Sequence, residues 1–191
     1  MKRGCIWFGV LLFLVHSLSA ATFLISPETS EVKFSIKHFR IDDVQGCFKD
    51  FSGTLDWDAT TKVVTGLKGS ISAKSVDTEN RTRDGHIRSA EFFNADVYPM
   101  FAFASTKITP RKNGFDIAGT FTMHGVTKPI TIPLDLLSID SQTGLPKFSA
   151  KMAIKRSDFG VSDSPRLISD DVNIELVGSV SQVPVVKGEK K

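Results

Sequence analysis

Cysteine is nearly absent from this 191-residue chain, which has two, and so is charge of one sign, with 24 basic against 21 acidic residues. Cys5 sits in an N-terminal segment that reads as removable, which leaves Cys47 alone and no internal disulfide. The fold must stand on its core. Cys47 reads as a small buried filler, or else as a thiol that pairs with another chain. Catalytic and metal-binding motifs are missing too: no H-E-x-x-H, paired C-x-x-C, G-x-S-x-G or P-loop spacing occurs. His38, His86 and His124 lie far apart, so neither a metal nor a cofactor is expected. His124, before Gly125, reads as a turn residue. An apolar fraction of 41% with 24% charged residues excludes a disordered chain, and 14 Gly and 8 Pro exclude a collagen-like one. The length suits one domain.

The N-terminus has the layout of a secretory signal. Lys2 and Arg3 precede an uncharged run at 6–15, and Ser19-Ala20-Ala21 supplies small residues for a cut after Ala21. The run is too short to span a bilayer, which takes about 20 apolar residues. Residues 1–21 are therefore expected to be a signal peptide, 22–181 the domain and 182–191 a polar tail, with the product periplasmic or secreted. Loss of Lys2 and Arg3 leaves 22 basic against 21 acidic residues. That near-neutrality argues against nucleic acid as a partner, and the short apolar run against stable membrane insertion.

What the remainder has in abundance is alternation of period two, the mark of half-buried strands. Val32, Phe34 and Ile36 alternate with charged and polar neighbours, as do Leu67, Gly69, Ile71 and Ala73. The pattern recurs at Phe115 to Met123, Ile130 to Leu136, Phe148 to Ile154 and Val172 to Val180. Segments 46–57, where Phe48 and Phe51 differ in parity and suggest a bulge, and 101–109 complete a set of eight strands. Residues 78–94 break the rhythm and carry six charges, and Thr78 is expected to cap a short helix there. Eight antiparallel strands with one apolar face make a barrel or a sandwich, and alternation alone does not choose.

The apolar face is rich in phenylalanine, thirteen of the fifteen lying beyond the signal. A phenylalanine-lined interior is dry and non-directional. With Gly69, Gly119, Ala150 and Gly178 on the same face it is either a filled, tapering barrel or a tunnel for a lipid tail. Strands of 8 to 11 residues would make such a tunnel about 26–36 Å long. The expected lining is Phe34, Ile36, Phe51, Leu67, Ile71, Phe101 and Phe103, then Phe115, Phe121, Ile132, Phe148, Met152 and Ile174.

The densest polar cluster is Arg81, Arg83, Asp84, His86, Arg88 and Glu91. Three readings stand. Asp84 and Arg88 pair across one helical turn; or Arg83, His86 and Arg88, with His38, meet an anionic or amide head group at the tunnel mouth; or Asp84 and His86 do acid–base work.

The run Ser75-Val76-Asp77-Thr78, then 83–93, Tyr98-Pro99 and Phe103-Ala104-Ser105-Thr106, resembles the YceI-like family of exported lipid-binding proteins. Residues 32–38 with Gly46, Phe48, Phe51 and Gly53, residues 119–128, and Arg156-Ser157-Asp158-Phe159-Gly160 with Asp170-Asp171-Val172 extend the resemblance over 23–180. It implies an all-β, eight-stranded, extended antiparallel β-barrel of lipocalin-like shape with a short helical insertion. It also implies a non-enzymatic periplasmic carrier of an isoprenoid or fatty-acid-like amphiphile, in a family whose members are often homodimers. Transport, storage and stress protection are the roles this fits. The rival readings are an enzyme acting on a lipid head group and a filled barrel serving as a protein-interaction module. One departure is Ser26 and Thr29, where the family has an acidic residue and a histidine near the first strand.

Overall fold

The computed structural model describes residues 20–39, 42–162 and 166–182. The expected signal peptide, except for Ala20 and Ala21, and the expected tail, except for Gln182, lie outside those residues. Twelve strands and one α-helix form. They are β1 (Ala21–Ile25), β2 (Ser30–His38), β3 (Asp42–Phe48), β4 (Phe51–Asp58), β5 (Val63–Ser72), β6 (Val76–Asp77), the helix α1 (Arg81–Arg88), β7 (Met100–Arg111), β8 (Gly114–Met123), β9 (Val126–Ile139), β10 (Pro146–Lys155), β11 (Ile168–Ser179) and β12 (Ser181–Gln182).

All pairings are antiparallel, in the order β12-β1-β4-β5-β7-β8-β9-β10-β11-β2-β3-β6. Eight of the twelve are halves of four paths that corners or short breaks divide. β1 and β2 are one path bent at 26–29, and β3 and β4 one path bent at 49–50. A single 3-10 turn at Ala73–Ser75 separates β5 from β6, and Val180 separates β11 from β12. The first path pairs on one side with the second (β1 with β4, β2 with β3) and on the other with the last (β1 with β12, β2 with β11). The eight paths therefore close into a ring, which leaves no free sheet edge. The parity change between Phe48 and Phe51 is made by the corner at 49–50 rather than by a bulge, and both rings stay inside.

The two ends of the barrel differ. At one end the connections are tight turns. Asp58 accepts hydrogen bonds from the Thr60 and Thr61 amides (2.8 and 3.0 Å), and Asp140 from the Gln142 and Thr143 amides and the Thr143 hydroxyl. Those donors hold both carboxyls below the usual aspartate range. Trp57 Nε1 donates to Gly144 O at 3.1 Å and ties the two turns together. Behind them Leu55, Trp57, Ile117 and Phe148 are wholly buried, with Val64 and Leu134 nearly so. This packed end is the floor.

At the other end lie α1, with the irregular stretch that follows it, and a 3-10 turn at Arg156–Phe159. A tight connection there joins β8 to β9 through His124 and Gly125, both at positive φ, as a two-residue hairpin requires. Tyr98 lies against it, its ring 2.6 Å from where a Gly125 Cβ would sit. Cys47 is half-buried, with register partners Lys33 and Asp77, and its parity turns it to the outer face rather than into the core.

Candidate functional site

Inward-facing residues of the mouth half surround space. A cavity of ≈ 270 Å³ opens beneath α1, and a second lobe of ≈ 130 Å³ lies deeper. Val32, Ile71, Phe101, Phe121 and Ile174 border both lobes, so the two meet at a shared waist. Phe101 and Phe121 face each other at this waist with ring centroids 6.5 Å apart. Phe93 meets Phe101 edge-on at 5.0 Å, and Phe48 contacts both Phe34 and Phe101. The upper wall is thus a connected aromatic belt without hydrogen-bonding groups. In the deeper lobe Gly53 and Gly69 stand opposite each other in register and present bare backbone to the void.

Of the expected lining, Phe34 and Ile36 border the outer lobe; Phe51, Leu67, Phe103, Ile132 and Met152 border the inner one; Ile71, Phe101, Phe121 and Ile174 border both. Phe115 and Phe148 face inward but lie in the packed floor, beyond either lobe. Their strands alternate correctly; only their height in the barrel takes them out of the void. Residues that sequence reasoning left out are Phe48, Phe92, Phe93 and Ile87 at the mouth and Ile25 and Ile130 below. Phe92-Phe93 is an apolar pair inside a charged, non-alternating stretch, and that contrast was the available signal.

The polar mouth is built by α1. Asn80, not Thr78, caps the helix: its side chain accepts from Arg83 N at 3.0 Å. Thr78 is instead buried as a hub. Its amide and hydroxyl donate to Asp84 Oδ1 at 2.9 and 2.6 Å, while its hydroxyl and carbonyl accept from Arg83 Nε and Nη2, both at 2.8 Å. Arg83 is thereby fixed on two nitrogens, and Nη1 makes no hydrogen bond to the described residues. His86 Nε2 lies 2.7 Å from Glu91 Oε2, and its ring packs edge-on against Phe92.

Arg83, His86 and His38 all border the outer lobe. Arg88 does not: Nη2 donates to Val76 O and straps the helix to β6, and Nε is buried without a partner among the described residues. Asp84, turned to Thr78, pairs with neither Arg88 nor His86. Arg156, outside the expected set, is buried at the cavity edge, its guanidinium donating to the carbonyls of Val161, Ile168 and Ser169 at 2.9–3.2 Å. Ser26 and Thr29 lie at the corner between β1 and β2 and border neither lobe.

A larger groove of ≈ 610 Å³ runs over the outer face of β2, β3, β10 and β11, walled by Lys33, Lys49, Asp77, Lys151 and Glu175 with Cys47. Its charges pair across strands at 3.0 Å (Lys151–Glu175) and 3.6 Å (Lys49–Asp77), which makes it a solvated surface rather than a seat for an apolar group. Among the described residues no group of three or more His, Cys, Asp and Glu could hold a metal ion, and no helix is long and apolar enough to cross a membrane.

The sequence pattern of the YceI-like domain matches residues 23–180. The chain belongs to the YceI-like family. Protein YceI of Salmonella newport is 35% identical over 190 residues, covering 96% of this chain and 98% of that one. Among solved structures, BcnA of Burkholderia cenocepacia superposes with a TM-score of 0.74 at 22% identity, covering 83% of this chain and 99% of its own. A polyisoprenoid binding domain from Saccharophagus degradans superposes with a TM-score of 0.65 at 17% identity, covering 86% and 100%. At those identities the two structures speak for the YceI-like barrel and for nothing finer.

Proposed function

We propose that this YceI-like chain is an exported lipid-binding protein that holds one long-chain amphiphile, tail in the two-lobed cavity and head group at the mouth. The observation that carries this reading is a phenylalanine-walled void beneath a guanidinium whose Nη1 makes no hydrogen bond to the described residues. Burying ten methylenes there is worth about 8 kcal/mol, enough for roughly micromolar binding before ordering costs. The tail supplies affinity and the mouth orients the head, with Arg83 and His86 suited to an anionic or amide group and His38 across from them. The polyisoprenoid ligand class of the Saccharophagus degradans domain supports an apolar chain as cargo. Catalysis forms no part of this reading, since Asp84 and His86 turn to separate partners. The signal-like start at residues 1–21 supports delivery to the periplasm or exterior as part of this reading.

The test is native mass spectrometry of protein purified from its own host. A non-covalent adduct that extracts into organic solvent and is lost on Ile174→Trp, which fills the waist, is the expected result. A bare mass together with no uptake of a fluorescent fatty acid would overturn the reading.

A further inference from the structure

Resting on that reading, the cavity also sets a length. On β2, β9 and β10 the inward positions change from void to packed partway along the strand. On β2 the void runs from His38 to Val32, and the next inward residue, Ser30, is buried. On β10 it runs from Ile154 to Ala150, and Phe148 beyond is sealed. On β9 Ile132 borders the void and Leu134 closes it. These strands run on into the packed floor of Leu55, Trp57, Ile117 and Phe148, which ends the tunnel. The 26–36 Å expected from strand length is not reached, because strands continue past the point where their side chains meet.

Two measures bracket its capacity. The six residue steps of β2 from His38 to Val32, at about 3.3 Å each and tilted about 40° to the axis, give a depth of about 15 Å. An extended chain with ~1.5 Å bonds advances about 1.3 Å per carbon, so about twelve carbons reach the floor. A cavity of ~150 Å³ holds one benzene, or about 25 Å³ per carbon; on that scale the outer lobe of ≈ 270 Å³ takes about eleven carbons and the inner lobe of ≈ 130 Å³ about five. A forty-carbon polyprenol would need about 1000 Å³ at the same density.

We infer that the barrel is a chain-length ruler for a single hydrocarbon tail of about twelve to sixteen carbons, with the Gly53–Gly69 pair giving the last few carbons their room. Cargo of this class is a fatty-acyl or short isoprenoid amphiphile. A longer polyisoprenoid leaves its excess outside the mouth and gains nothing from it.

The test measures dissociation constants for straight-chain fatty acids from C8 to C24 and for a C40 polyprenol. The expected result is a constant that falls about fourfold per added methylene and levels off near C16. Gly69→Leu moves the break shorter by about four carbons, the number in its side chain. That position accepts a side chain, since the nearest atom to an added Cβ is Ser52 O at 3.6 Å. An affinity that keeps rising through C24 to the polyprenol, or a break that Gly69→Leu leaves in place, overturns the ruler while leaving lipid binding intact. Failure of every chain to bind overturns both.

Discussion

The floor and the mouth halves of this barrel are built from the same strands by the same alternation, and they end in opposite states. At the floor, Trp57, Phe115, Phe148 and Ile117 converge from three strands, and two aspartate-centred turns joined by Trp57 hold the paths together. In the mouth half, glycines and alanine stand among the phenylalanines, and the connections include a helix and a 3-10 turn. Alternation decides which side chains turn inward. Whether they touch is decided by the sizes that meet at each height, summed around eight strands. Stability is therefore concentrated at the floor and binding at the mouth.

The largest expected effect breaks the floor. Phe148→Ala removes a wholly buried ring and should cost about 3–5 kcal/mol in urea unfolding. Phe34→Ala, at a ring that already borders a void, should cost less than half of that; equal losses would erase the distinction between the halves. Next comes the mouth. Ile174→Trp should weaken fatty-acid binding by about a hundredfold or more while leaving the urea midpoint near that of the parent, because the indole enters existing space. Unchanged uptake would place the tail elsewhere.

A smaller effect is expected at Arg83. Arg83→Gln should weaken a fatty acid about tenfold and a fatty alcohol hardly at all, since only the anion gains from the guanidinium. Arg88→Gln should weaken neither preferentially, because Arg88 straps α1 to β6 outside the cavity. Equal losses for acid and alcohol on Arg83→Gln would assign that residue a purely structural task.

The smallest effect is in pH. Asp58 and Asp140 have folded-state pKa values held below the unfolded value of about 3.9 by their amide donors. Their stabilisation is complete above that value and disappears as pH falls through the folded pKa. The unfolding midpoint should thus be insensitive to these two residues between about pH 5 and 7 and fall below about pH 4. Asp58→Asn with Asp140→Asn should flatten the acid limb, and a limb left unaltered would assign it to other groups.

Much of the fold is legible in the sequence, because period two survives in Val32-Phe34-Ile36 or Phe148-Ala150-Met152 whatever the rest of the chain does. The corners at 26–29 and 49–50 are not legible in the alternation, which shows where inward residues fall but not where a path turns and changes its hydrogen-bond partners. The helix is marked by its charges, yet its cap fell to Asn80 because Thr78 is committed to Asp84 and Arg83. Phe115 and Phe148 show the limit most plainly: their inward direction is local, but their contact with the opposite wall depends on residues tens of positions away.

A fatty acid spin-labelled near its methyl end tests the division most directly, by the NMR broadening it causes. Broadening strongest at the inner lobe (Ile132, Ala150, Leu67) and weaker at Phe34 and His38 is the pattern expected of a tail that enters from the mouth and stops at the floor. Broadening strongest at Trp57 and the turns below it, or confined to the outer face, would contradict a barrel that is packed at one end and hollow at the other.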